Sequence, residues 1–238
     1  GSGALLIDKL DQAPAELRPL LAQQQQHYRH FLKPQLAEYG VQLLDYRQLN
    51  DEQRGWANEY FRRLIFPVLT PLAVDPAHPI PFMSNLSLNV AALIRDTDTG
   101  QQQFARIKVP QKLLPRFVPI PTEFSGRDPR PVFVGVPLEQ LVAFNLQLLF
   151  PGMTVEGHYF FRITRDADLE LRDLEADDLM ESLQEGLRKR RLGGEVVRLE
   201  VADEMPERVV QQLLEGTRCQ SPDRPLPCCR VLVVQRSL

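Results

Sequence analysis

A proline-rich segment followed by an apolar strand pattern, from Pro67 to Arg95, constrains the fold more than any other part of the sequence. Prolines stand at positions 67, 71, 76, 79 and 81. Because proline fixes its own φ, lacks an N–H and disfavours a helical conformation in the preceding residue, this segment is predicted to be an extended connector. From Leu86 onward, apolar residues alternate with a second set that is also largely apolar, which is typical of a central strand. The chain is therefore predicted to be helical before this segment, and to mix sheet and helix after it.

The residues before the connector predict two helices. The first has an apolar stripe from Ala15 and is predicted to end near Gly40, because glycine readily adopts the left-handed conformation found at helix ends. The second is predicted to begin after Asn50, whose side chain can cap the helix while the side chain of Gln53 bonds back to it. Large apolar residues of this second helix share one face: Trp56, Tyr60 and Leu64. The two helices are predicted to form a helical hairpin that lacks a packing partner, because two helices alone do not close a bundle well.

The residues after the connector predict a mostly antiparallel sheet with two or three helices. The turn-forming sequence Asp96 to Gly100 predicts a β-hairpin. On the returning strand, Arg106 and Lys108 share a face that alternates with an apolar one. The stretch from His158 to Leu171 predicts a strand or bent hairpin whose charged side includes Arg162. The predicted fold class is therefore α+β, with the helical hairpin followed by a sheet-containing domain.

Composition limits the partners that the chain can attract. Lys and Arg number 28 against 31 Asp and Glu, which gives a formal net charge of -3. The chain as a whole therefore exerts no long-range attraction on polyanions, so any anion binding must be local, and no nucleic-acid partner is expected. The sequence shows neither an apolar run long enough to cross a membrane nor a signal peptide, so a soluble, cytoplasmic protein is expected.

Four stretches of the sequence resemble a known family. They read FPVLTPLAVDPAHPIPFMSNLSLN from Phe66, LPRFVPIP from Leu114, TRDADLEL from Thr164 and VRLEV from Val197. Together they resemble the region where the amino-terminal helical domain meets the head domain in the long-chain polyphosphate kinases, which pass phosphate through a histidine. The resemblance implies three regions. Residues 4–66 would be a remnant of the helical domain, residues 67–216 the head (middle) domain, and residues 217–238 an irregular tail that departs from the family.

The resemblance also implies that this chain is not catalytic by itself. In the family, the phosphorylated histidine and the magnesium-binding arginines belong to two carboxy-terminal domains that this sequence does not contain. We therefore expect no catalytic, cofactor-binding or metal-binding residue here, and the isolated chain should be inactive. ATP and Mg²⁺ would serve the full-length parent, which transfers the terminal phosphate of ATP reversibly to polyphosphate.

As a member of such an enzyme, the chain would act as a scaffold, as a wall of the substrate tunnel and as a dimer contact. Its expected partners are the missing carboxy-terminal catalytic domains and a second copy of the same chain in a homodimer. Polyphosphate or ATP would be a partner only of the full-length parent enzyme.

A second hypothesis is a free-standing polyanion-binding or regulatory module. Arg106 and Lys108 project from one strand and Arg162 from another, so the three cations could line one surface if the strands are neighbours. Pairing with carboxylates or with solvent is the alternative for these side chains. A phosphate-accepting histidine needs a carboxylate and a group of cations beside it. Asp75 is close to His78, but no group of cations is. All four histidines are therefore predicted to be structural or surface residues: His27, His30, His78 and His158.

Overall fold

The computed structural model describes residues 19–74, 83–126, 130–165, 196–216 and 230–234. In chain order the helices and strands are α1 (19–38), β1 (Val41–Leu43), α2 (Asp51–Tyr60), β2 (Leu72–Val74), β3 (Leu88–Asp96), β4 (Gln102–Lys108), β5 (Phe117–Ile120), β6 (Phe133–Pro137), α3 (Leu138–Phe144), β7 (Met153–Arg165), β8 (Val196–Ala202), α4 (Glu207–Gly216) and β9 (Arg230–Val234). α1 contains a π-helical turn at Tyr28–Leu32, and α2 continues into another at Phe61–Ile65.

The larger sheet confirms the predicted central strand and the predicted hairpin. Its strand order is β2-β4-β3-β7-β8-β9, and its pairs are antiparallel except for the parallel pair β8–β9. β3 lies between β4 and β7 and is buried along most of its length, as its two-sided apolar pattern requires. The β3–β4 turn contains Gly100 at φ +69°, and the Asp96 carboxylate accepts hydrogen bonds from the backbone N–H groups of Asp98 and Thr99. The fold class is α+β with mostly antiparallel sheets, as predicted.

The helix ends predicted before Pro67 are confirmed by individual contacts. Gly40 follows α1 with φ +79°. At the start of α2, the Asn50 side chain accepts from the Gln53 N–H at 2.9 Å, and Gln53 Oε1 accepts from the Asn50 N–H at 3.1 Å. The link between the two helices differs from the expected simple connection, because it contains β1. This strand pairs in parallel with β6 in a smaller sheet of order β1-β6-β5.

Hydrophobic cores cover both faces of the larger sheet. On the first face, residues of the α2 region pack together with residues of β3, β4 and α3: Ala57, Phe61, Ile65, Leu88, Val90, Ala105, Ile107, Leu138 and Leu141. On the second face, α4 packs against residues of β3, β7 and β8: Ala91, Phe161, Ile163, Leu199, Val209, Val210 and Leu213. Residues from both sides of Pro67 therefore share one core. The domain limits 4–66 and 67–216 stay predictions.

The carboxy-terminal region contains a strand that the sequence reading did not anticipate. The tail, residues 217–238, was expected to be irregular, but Arg230–Val234 form β9 and pair in parallel with β8. For these five residues the expectation is wrong. The reason is that a short run rich in valine has a high β-propensity and finds an available strand edge on β8. The other tail residues, including all three cysteines, lie outside the described residues.

Candidate functional site

Arg106 and Lys108 lie on the same face of β4, as the alternation predicted. Arg106 is opposite Ala91 and Lys108 is opposite Asn89 on β3, and residues directly opposite each other share a face of the sheet. Ala91 belongs to the core under α4, so both cations are on that second face. Their exposure differs, because Arg106 is only 6% exposed whereas Lys108 is exposed. Burial lowers the pKa of the Arg106 guanidinium.

Arg162 lies on the opposite face of the sheet. It is opposite Leu88, which packs in the core with α2, and β3 separates its strand from β4. The Arg162 guanidinium forms a bidentate pair with Glu200 on β8, in which Nη2 donates to Oε1 at 2.9 Å and Nε donates to Oε2. Hydrogen bonding to Glu200, the dominant influence, raises the pKa of Arg162. The three predicted cations therefore do not line one surface, and anion binding by any of them stays a prediction.

The structure instead gathers basic side chains around the residues Met83–Ser87, here called the Ser84 turn. Lys108 Nζ donates to Ser84 Oγ at 2.7 Å. From the end of β7, Arg165 Nε donates to the Met83 carbonyl at 2.8 Å, and the Arg165 N–H donates to Asn85 Oδ1 at 2.8 Å. Burial lowers the pKa of Arg165 as well. Two cations from strands on either side of β3 thus hold the residues that follow the proline-rich connector.

Sequence reading missed Arg165 and the shape of the Ser84 turn. The turn contains Leu86 with φ +58°, a conformation that residues other than glycine adopt infrequently, and no sequence pattern signals it. The Leu86 N–H donates to the Ile163 carbonyl at 3.0 Å, which fixes the turn against β7. Asn89 Nδ2 donates to the Ser87 carbonyl at 2.9 Å. The arrangement leaves Lys108 exposed at the surface beside Ser84.

His158 lies half-buried among aromatic rings. Its ring is 5.9 Å from that of Phe144 and 6.0 Å from that of Phe160, both in edge-on contact. Burial, together with the positive charge of Arg47, lowers the pKa of His158 below its ordinary value of 6.5. This is a packed imidazole of the kind expected for a structural histidine.

The environment of His158 predicts a pH dependence of stability. Its pKa is lowered in the folded state, so its contribution is fully present above pH 6.5. Below that pH the unfolded chain binds a proton that the folded chain does not, and the contribution is lost as the pH falls through the folded pKa. Urea midpoints measured between pH 7.5 and pH 5 should therefore fall less steeply for His158→Phe than for the parent chain. Equal slopes would contradict the prediction.

Of the other three histidines, His27 and His30 lie within the described residues. His27 stacks on Phe31 with ring centroids 5.0 Å apart. His78 lies outside the described residues. Among the residues that the structure describes, no group of three or more His, Cys, Asp or Glu side chains is placed to hold a metal ion. In the same part of the chain, no helix is both long and apolar enough to cross a membrane.

Comparison with known proteins decides the family. The model of the polyphosphate kinase middle domain matches residues 52–224. The chain belongs to the polyphosphate kinase middle-domain family. A polyphosphate kinase from Prochlorococcus marinus (strain MIT 9313) is 67% identical over 207 residues, which are 87% of this chain and 29% of that protein. One from Parasynechococcus marenigrum (strain WH8102) is 64% identical over 221 residues, 93% of this chain and 31% of the relative.

Among solved structures, the polyphosphate kinase from Porphyromonas gingivalis has a similar fold. It aligns with 97% of this chain and 32% of its own, at a TM-score of 0.68 and 20% sequence identity. This likeness shows the fold of the polyphosphate kinase middle domain. The chain thus spans less than a third of the length of these relatives, so most of each relative has no counterpart in it.

Proposed function

We propose that this chain is the non-catalytic amino-terminal portion of a polyphosphate kinase, which supports catalytic domains carried elsewhere in the same enzyme. The family match over residues 52–224 is the observation that carries the proposal. The parent reaction is the reversible transfer of the terminal phosphate of ATP to polyphosphate, with Mg²⁺ bound by the parent. The chain acts as scaffold, contributes a wall of the substrate tunnel and makes dimer contacts. The cytoplasmic location expected from the sequence remains a prediction.

The packing of the described residues supports a scaffold role. The α2 region, both sheets and α3 contribute to one hydrophobic core, which gives a rigid body on which other domains can be held. The buried carboxylates of Glu139 and Glu200 each face an arginine, Arg116 and Arg162, in bidentate pairs. These charges therefore serve the fold and are not available to activate a nucleophile.

The scaffold proposal predicts that the chain works only when joined to catalytic domains. The chain alone, mixed with ATP, Mg²⁺ and polyphosphate, should neither lengthen polyphosphate nor acquire acid-labile phosphate from labelled ATP. A fusion to the remaining domains of the Prochlorococcus marinus relative should synthesise polyphosphate, because that protein is 67% identical over this region. The matched control is the same fusion without residues 52–224. Acid-labile label on the isolated chain, or full activity of the control, would contradict the proposal.

A second candidate function, polyanion binding by the chain alone, is favoured by the basic side chains at the Ser84 turn. Lys108 is the exposed cation there, and Arg165 bonds to Met83 and Asn85 on either side of Ser84. Polyphosphate would bind beside Lys108 on the second face, away from Arg162. Because the attraction is electrostatic at an exposed site, it should weaken steeply with salt.

If the chain alone binds polyanions, Lys108 should make the dominant contribution to its retention on immobilised polyphosphate. Lys108→Ala should weaken binding about two- to fivefold, since an exposed charge contact contributes up to about 1 kcal/mol. Arg130→Ala is the matched control, because Arg130 is also exposed and the substitution removes one positive charge elsewhere. Retention should be measured at several salt concentrations. Equal losses for both variants would indicate a nonspecific charge effect, and dimerisation without retention would favour the scaffold proposal.

A further inference from the structure

A series of hydrogen bonds connects the buried amide of Asn89 to the surface at the Ser84 turn. Asn89 is 0% exposed and lies opposite Lys108 on β4 and Phe161 on β7. Its Nδ2 donates to the Ser87 carbonyl at 2.9 Å and to Ser87 Oγ at 3.2 Å. Ser87 Oγ donates in turn to the Ser84 carbonyl at 2.7 Å. A buried side chain of β3 therefore fixes the positions of the two serines in the turn.

The two serines are the ends of a tight turn whose backbone conformation is unusual. The Ser87 N–H donates to the Ser84 carbonyl at 3.3 Å, which is the hydrogen bond of a β-turn. Leu86, the third residue of this turn, has φ +58°, and its side chain is 54% exposed. A residue other than glycine keeps such a conformation only where its surroundings hold it there. Asn89 supplies part of that restraint, since it holds the last residue of the turn.

The direction of the hydrogen bond between Lys108 and Ser84 follows from the chemistry of the two groups. An ammonium group has only donors, so Ser84 Oγ accepts at 2.7 Å, and its own hydrogen is left to donate elsewhere. Among the described residues, that hydrogen has no acceptor. The ammonium group of Lys108, which is exposed, has two further N–H groups. A hydroxyl and an ammonium in direct contact therefore present only donors to the solvent.

We propose that Ser84 and Lys108 together bind one phosphate oxyanion, and that Asn89 is the positioning residue that holds Ser84 in place for it. The inference rests on the proposed binding of polyanions by the chain alone, and it adds a second ligand to the site beside Lys108. A phosphate group suits this pair, because its ionised oxygens accept hydrogen bonds and its charge strengthens each of them. The ligand is inorganic phosphate or one phosphate group of a polyphosphate chain, which offer the same kind of oxygen.

Retention of the full chain on immobilised polyphosphate, measured at several salt concentrations, distinguishes the contributions of the two ligands. Ser84→Ala should weaken retention about threefold at every salt concentration, since it removes a hydrogen bond but no charge. Lys108→Ala should also reduce the slope of log affinity against log salt by about 1, the value for one phosphate contact. Thr99→Ala is the matched control, because it removes an exposed hydroxyl from the turn at the other end of β3 and should leave retention unchanged.

Asn89→Leu tests the positioning role, since it removes the amide and keeps a similar volume. It should weaken retention about as much as Ser84→Ala does, at the salt slope of the parent chain. The variant carrying both substitutions should be retained no less than Ser84→Ala alone, because Asn89 acts through Ser84. Additive losses in the double variant would overturn the positioning role. Urea midpoints should confirm that each variant is folded.

Elution identifies which form of phosphate the site takes. If inorganic phosphate elutes the parent chain at a lower ionic strength than chloride does, and this difference is lost in Ser84→Ala, the free ion is a ligand. If both salts elute the parent chain alike while Ser84→Ala is still retained less, the ligand is a phosphate group within the chain. Equal retention of Ser84→Ala and Thr99→Ala, with a loss in Lys108→Ala, would overturn the inference and leave polyanion binding intact. Absence of retention of the parent chain would overturn both.

Discussion

Phe61→Ala should destabilise the chain as a whole by about 4 kcal/mol, the loss typical of a fully buried phenylalanine. Phe61 has 0% exposure and lies directly after α2. It packs in the same core as Val90 on β3 and Ile107 on β4. Removing the ring leaves a cavity between the helical region and the sheet, so we expect both to lose stability together in one cooperative transition.

Urea denaturation followed by two probes tests this expectation. Trp56 fluorescence reports on α2, and far-UV circular dichroism reports on the whole chain. The two curves should coincide in both proteins, and the midpoint should fall at an unchanged m-value. The control is Phe66→Ala, because Phe66 is 42% exposed and its ring is in edge-on contact with the Phe61 ring at 6.2 Å. This control should cost about 1 kcal/mol. A separate early transition seen only by Trp56 would show that residues before Pro67 fold independently.

The elements that the sequence predicted correctly are those with a local physical signature. The residues of β3 are apolar on both sides because both faces of the strand are covered, and that pattern is visible without knowing what covers them. The capping box formed by Asn50 and Gln53 is likewise a contact over three residues. β1 and β9 were missed for the opposite reason. Each is short, and each exists because a partner strand, β6 or β8, offers a free edge.

In the candidate site too, the features that depend on residues close in sequence were predicted correctly, and those that depend on strand pairing were not. Alternation along β4 correctly put Arg106 and Lys108 on one face, since residues two apart in a strand point the same way. The position of Arg162 relative to these two cations depends on strand order and on register. Neither can be predicted from the sequence of one strand alone. The register sets Arg162 opposite Leu88 and beside Glu200, so the expected surface is divided between the two faces. Arg165 approaches the Ser84 turn only because of this same register.

The second large loss of stability is expected when the buried charge of Glu139 loses its partner. Its side chain is 1% exposed in the first turn of α3, and both carboxylate oxygens accept from the Arg116 guanidinium, which is 38% exposed. Arg116→Ala would leave that carboxylate buried without its partner. Loss of one partner of a buried pair costs about 3–5 kcal/mol. The partial exposure of Arg116 allows some rehydration, so we expect a loss of about 3 kcal/mol in the free energy of unfolding.

The double variant Arg116→Met with Glu139→Leu distinguishes two quantities. One is the net contribution of the ion pair to the free energy of unfolding, and the other is the cost of leaving one buried charge without its partner. Because it removes both charges and keeps apolar volume, it should recover most of the stability that Arg116→Ala loses. Arg62→Ala is the control for an exposed pair, since Arg62 and Glu59 are both more than half exposed and the change should cost less than about 0.5 kcal/mol. Urea midpoints at constant m-value provide the measurement. If Arg116→Ala were no more damaging than Arg62→Ala, the Arg116–Glu139 pair would have no structural role.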